Sequence, residues 1–161
     1  MVLVAPLIQM ERIKARWPNP ILLPLVDAMS VLWPSLAAGS KSSNPFPMLR
    51  KEYYGDPLNY TGRVRARVAS ECLAFIDSLS PRLERVTAPL LVIHSPDDAM
   101  TEFSGSEMLI ERSASTDKHL ERVEGWHVVL HESEGPRMRA FIAEWLRPRV
   151  EAAAVARTRR G

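Results

Sequence analysis

Leu90-Leu91-Val92-Ile93-His94-Ser95-Pro96-Asp97-Asp98 decides the fold. Four aliphatic residues in a row, with no polar alternation, read as a strand buried on both faces, the pattern of a parallel sheet. The Ser-Pro-Asp-Asp that follows is turn chemistry. Met1-Val2-Leu3-Val4-Ala5-Pro6 repeats the pattern, an apolar run closed by proline, and His119–Val123 reads as a third, shorter strand. A helix is expected through about 114, capped by Ser104 or Ser106, with Met108, Leu109 and Ile110 as apolar contacts. A second is expected over 135–149. There Met138, Phe141, Ile142, Trp145 and Leu146 fall at i, i+3, i+4, i+7 and i+8, and Pro136 suits the first turn. Strand, helix, strand, helix points to an α/β fold with a parallel sheet covered by helices.

The first half reads differently. Residues 7 to about 50 are rich in Pro, Trp, Leu and Ser, with helical pieces at 8–16 and 22–33 stopped by Pro18 and Pro34. Ala38–Pro45 is a loop by composition. A longer helix is expected over 62–78, with Val64, Val68, Cys72 and Phe75/Ile76 on one face, then a turn at 80–86. Ile21–Val26, with Trp17 and Trp33, forms either an acyl-binding or membrane-touching surface or ordinary packing on the domain.

Composition narrows the classes. The chain has 161 residues, 46% of them apolar, enough for one core. A formal net charge of +2 gives no electrostatic case for nucleic acid, and the terminal arginines have no interleaved aromatics to stack bases. The single cysteine, Cys72, excludes an internal disulfide. No signal-peptide pattern and no apolar run of membrane-spanning length occurs, so a cytoplasmic protein is expected.

In open parallel sheets, functional groups sit on loops at the carboxyl ends of strands. Asp97 or Asp98 follows one expected strand, and Gly125-Trp126-His127 follows the next, 29 residues after Asp98. A carboxylate and an imidazole in that setting suit the acid and base of a serine hydrolase, where the carboxylate fixes the tautomer of the base. The spacing does not choose between the two aspartates. No Gly-x-Ser-x-Gly turn for a nucleophile occurs in the 161 residues. His127 and His131 form an H-x-x-x-H pair, but Val128 stands where a zinc protease needs glutamate, so no metal site and no cofactor are expected. His131-Glu132 is expected to close the loop or cap the next helix.

Several stretches together resemble monoacylglycerol lipases. They are Val2–Pro6, Asp56-Pro57-Leu58-Asn59-Tyr60-Thr61-Gly62, Thr87–His94, Ser115–Leu120 and Glu124-Gly125-Trp126-His127. The resemblance extends to the plant and algal branch, which includes lysophospholipase-like and caffeoylshikimate esterase-like enzymes, α/β-hydrolases often labelled serine aminopeptidase S33. The resemblance runs from residue 1 to about 148. Its acid lies in a His-Gly-x-x-Asp turn, which on His94–Asp98 selects Asp98 and puts Ser95 in place of the glycine. Its base follows a Glu-Gly-aromatic step, which selects His127.

The resemblance implies hydrolysis of a carboxylic ester, a monoacylglycerol or lysophospholipid, with a lipid or small ester as partner and no nucleic acid. It implies that 1–6 and 87–150 are the C-terminal part of the hydrolase core. Residues 7–86 become a helical cap with a possible peripheral membrane contact, and 151–161 a disordered basic tail. The family's nucleophile elbow and oxyanion loop precede the strand that begins here at Met1. The chain is therefore expected to be a C-terminal half that needs a missing N-terminal half for activity, or else an inactive truncated fragment or binding module.

Overall fold

The computed structural model describes residues 1–41 and 47–158. By its internal contacts the chain divides into two units, Met1–Met10 with Leu79–Gly161, and Glu11–Ser78.

The first unit is built on β4 (Leu90–His94), flanked by β1 (Val2–Val4) and β5 (Lys118–Arg122). Both neighbours run parallel to it, in the order β1-β4-β5. Val2 pairs with Leu91 and Leu90 with Lys118. Every residue of β4 is buried. Successive side chains of a strand point to opposite faces, so its unbroken apolar run feeds two cores at once. Leu90 and Val92 pack with Ile8, Leu83 and Leu109 on one face. Leu91 and Ile93 pack with Val123, Val129 and Met138 on the other. Helix α5 (Phe103–Arg112) brings Leu109 to the first core, and α6 (Gly135–Thr158) brings Met138 to the second. The α/β class with a parallel sheet expected from the sequence is the class observed.

Two details differ from expectation. Ser106 lies inside α5, which starts at Phe103 without a side-chain cap, so neither Ser104 nor Ser106 caps it. Helix α6 does not stop at 149. Residues 151–158, expected within a disordered tail, continue it, because Glu151-Ala152-Ala153-Ala154 is among the strongest helix-forming stretches of the chain. Residues 159–161 lie outside the described residues.

The second unit contains α1 (Glu11–Ala15), α2 (Asn19–Leu32), α3 (Pro47–Gly55) and α4 (Ala66–Leu79), the last of which ends at the unit boundary. It also holds a two-stranded antiparallel sheet of β2 (Ala37–Lys41) and β3 (Arg63–Arg65). The sequence reading put a loop at 38–45 and helix from 62. Instead residues 37–41 form a strand, helix begins at Ala66, and 42–46 lie outside the described residues. Arg63-Val64-Arg65 is wholly exposed, so backbone pairing and not burial defines this strand. Ser70 Oγ donates to Asp27 Oδ1 at 2.7 Å, and Lys14 bonds Asp77, tying the helices of this unit together.

Candidate active site

Three carboxyl-end segments of the parallel sheet meet in the first unit: Ala5 after β1, Ser95–Thr101 after β4, and Gly125–His127 after β5. This is the edge where parallel sheets place functional groups.

Asp98 is buried, at 3% exposure, and His127 is half-buried. His127 Nδ1 lies 2.8 Å from Asp98 Oδ2. Asp97 is exposed and its backbone N–H donates to Ser95 Oγ at 3.1 Å. Of the two candidate carboxylates, the structure therefore brings Asp98 to His127 and leaves Asp97 at the surface.

Asp98 is held on both oxygens. Oδ1 accepts the N–H groups of Met100 at 2.7 Å and Thr101 at 3.0 Å. Oδ2 accepts Thr101 Oγ1 at 2.7 Å and faces His94 Nε2 at 3.2 Å, besides His127. Burial alone would raise this carboxyl. Hydrogen bonds from His127 and Thr101, with Met100 N–H, outweigh it and hold Asp98 below the usual aspartate value, so it is ionised near neutral pH.

An ionised carboxylate can only accept, so in this contact the proton lies on His127 Nδ1 and the ring's other nitrogen, Nε2, is turned away from Asp98.

The loop carrying His127 is pinned at each side. Glu132 accepts the Trp126 N–H on Oε2 at 2.6 Å and the Val128 N–H on Oε1 at 2.9 Å. Gly125 has φ +133°, a conformation side-chain-bearing residues rarely adopt. Ser95 Oγ donates to the Gly125 carbonyl at 2.5 Å, joining the two loops. His131 lies in a 3-10 turn over Val129–His131, so His127 and His131 do not share an α-helical face. Among the described residues no group of three His, Cys, Asp or Glu side chains could hold a metal ion.

Sequence reasoning missed Thr101, and offered Ser106 only as one of two candidate helix caps, with Ser104. A threonine three residues after an aspartate is a local signal for a side chain folding back on nearby N–H groups. No comparable local signal linked His94 to Ser106, whose Oγ lies 2.6 Å from His94 Nδ1 across the β4–α5 contact.

A parallel sheet flanked by helices, with an aspartate and a histidine paired at its carboxyl edge, is the arrangement of an α/β-hydrolase. The chain belongs to the serine aminopeptidase S33 family, whose model matches residues 1–134. It is 27% identical over 132 residues to the monoacylglycerol lipase of Mycolicibacterium smegmatis, covering 80% of this chain and 47% of that protein. To the monoglyceride lipase of Rattus norvegicus it is 25% identical over 135 residues, covering 82% and 44%. The crystal structure of Paleococcus ferrophilus monoacylglycerol lipase superposes with a TM-score of 0.70 at 22% identity, covering 91% of this chain and 58% of that one. The chain thus spans about half the length of the curated relatives it matches.

Proposed function

We propose that this chain carries the acid and base of a serine ester hydrolase acting on monoacylglycerols or related lipid esters. The observation that carries the reading is the 2.8 Å contact between His127 Nδ1 and the buried, ionised Asp98 Oδ2. Asp98 fixes the ring with Nε2 free. His127 Nε2 takes the proton of a serine hydroxyl as that oxygen attacks the ester carbonyl, and returns it to the leaving alcohol as the acyl-enzyme forms. A water then repeats the sequence on the acyl-enzyme. In this reading the serine and the oxyanion donors come from polypeptide outside these 161 residues, since no Gly-x-Ser-x-Gly turn occurs within them.

The substrate class is supported by the names of the relatives and by the second unit. On α2, Ile21, Leu22, Leu25, Val31 and Leu32 are exposed, an apolar surface suited to acyl chains or a lipid surface. We read that unit as the cap. No helix among the described residues is long and apolar enough to cross a membrane. Peripheral contact through the cap, by a protein of the cytoplasm, completes the reading.

The test is a chimera in which residues 1–134 replace the matching segment of the M. smegmatis monoacylglycerol lipase. Hydrolysis of a monoacylglycerol and of a nitrophenyl ester is expected, falling at least about 10³-fold with His127→Ala. A chimera that melts cooperatively yet hydrolyses neither ester, or whose turnover survives His127→Ala, overturns the proposal. Retained lipid binding without turnover would favour an inactive binding module.

A further inference from the structure

His94 has no part in the reaction just described, yet it is fully buried at the centre of the site. Its Nε2 lies 3.2 Å from both Asp98 Oδ2 and Thr101 Oγ1, and its Nδ1 faces Ser106 Oγ at 2.6 Å. Asp98 Oδ2 is therefore shared by two imidazoles, at 2.8 Å from His127 and 3.2 Å from His94. Phe103 stands edge-on to the His94 ring with centroids 5.5 Å apart.

The surroundings of His94 favour one arrangement of protons. Ser106 is fully buried, and among the described residues its hydroxyl has His94 Nδ1 as its hydrogen-bond partner. A buried hydroxyl proton left without an acceptor is costly, so Ser106 donates to Nδ1. Nδ1 then carries no proton, and the neutral ring has its N–H on Nε2, directed at Asp98. Thr101 donates its own proton to Asp98 Oδ2 at 2.7 Å.

We propose that Ser106 and His94 are positioning residues, Ser106 fixing the tautomer of His94 so that His94 Nε2–H holds Asp98 Oδ2 in place for His127. The proposal rests on the ester-hydrolase reading for its consequence in catalysis. Its chemical logic lies in charge. When His127 becomes imidazolium, Asp98 must answer one positive charge and not two. Desolvation pushes the His94 imidazole below its ordinary range, against the opposing pull of Asp98, so His94 stays neutral. It then contributes a directed donor and leaves the carboxylate charge to His127.

The chain labelled with ¹⁵N-histidine tests this directly at pH 7. The expected spectrum has His94 protonated on Nε2 and bare on Nδ1, and a downfield His127 Nδ1–H. Ser106→Ala, a small change inside a helix, should mix the His94 tautomers and shift the His127 resonance. In the chimera, Ser106→Ala should lower kcat about 10-fold at unchanged KM, as expected for a slightly misplaced catalytic group. His94→Gln supplies an acceptor and a donor side by side and should stay within about threefold of the parent, whereas His94→Leu should fall about 30-fold or more. A His94 ring protonated on Nδ1 or on both nitrogens overturns the proposal. So does a Ser106→Ala variant with the His127 resonance and kcat unchanged, or a Gln variant as impaired as Leu. A chimera that folds without turnover removes the hydrolase reading, while the two resonances still decide whether Ser106 and His94 hold Asp98.

Discussion

Glu132 and Gly125 are fitted to one another: a side chain at Gly125 would land on Glu132 Oε2. That oxygen cannot swing aside freely, because it accepts the Trp126 N–H while its twin accepts the Val128 N–H, one on each side of His127. Gly125→Ala adds backbone strain at φ +133°, a cost of about 1–3 kcal/mol. Glu132→Ala leaves two N–H groups without their charged acceptor, about 1–3 kcal/mol. Both variants are expected to lower the midpoint of a denaturant melt and to broaden the His127 resonances. A melt unchanged in both would mean that the loop holds its shape without the clamp.

Ser95 is expected to matter although the resembling family has glycine there. Its hydroxyl donates to the Gly125 carbonyl and accepts the Asp97 N–H. Ser95→Gly removes both bonds and adds backbone freedom, a loss of about 1–2 kcal/mol. Faster amide exchange at Asp97 is the specific sign to look for. Exchange at the parent rate would show that the turn keeps its shape without the hydroxyl.

Acid should lower the stability of the fold over two successive pH ranges. His94 has a lowered folded pKa, so below the unfolded value near 6.5 the unfolded chain binds a proton that the folded chain refuses. Stability from this group is present above that value and falls as pH drops beneath it. Asp98 is also lowered, from 3.8, so its contribution is present above that value and is lost as pH falls through its folded pKa. Equilibrium unfolding by denaturant from pH 8 to 3 should show both declines, and His94→Gln should remove the first alone. A parent chain with flat stability from pH 7 to 5 would contradict a neutral, buried His94.

The two-faced core makes a further demand. Met138 is fully buried against Leu91 and Ile93. Met138→Ala should cost about 2–5 kcal/mol, measured as a shift of the denaturation midpoint at unchanged slope. A cost below 1 kcal/mol would mean that α6 does not seal that face.

What could be read from the chain follows from how local each cause is. Strand β4 was legible because its aliphatic run feeds two cores, and the α6 stripe because Met138, Phe141, Ile142 and Trp145 recur at helical spacing and pack into one of them. Strands β2 and β3 were not: Gly39-Ser40-Lys41 and Arg63-Val64-Arg65 carry no strand-like apolar pattern, and only their mutual pairing makes them strands. The pairing of Asp98 with His127 could be anticipated because both follow strands of one parallel sheet. The bond from Ser106 to His94 could not, because it depends on how α5 packs over the end of β4. The helix through 151–158 was not legible because the terminal arginines resemble a solvated tail, while the alanine run before them propagates helix from α6.

Whether Asp98 acts through His127 is decided by kinetics of Asp98→Asn, His127→Ala and the double variant in the chimera. Residues that work as one unit show strongly non-additive losses. The single His127→Ala change should cost at least about 10³-fold in kcat. The double variant should then be no worse than His127→Ala within about threefold. Losses that multiply in the double variant would contradict a shared acid–base pair and place the two side chains in separate roles.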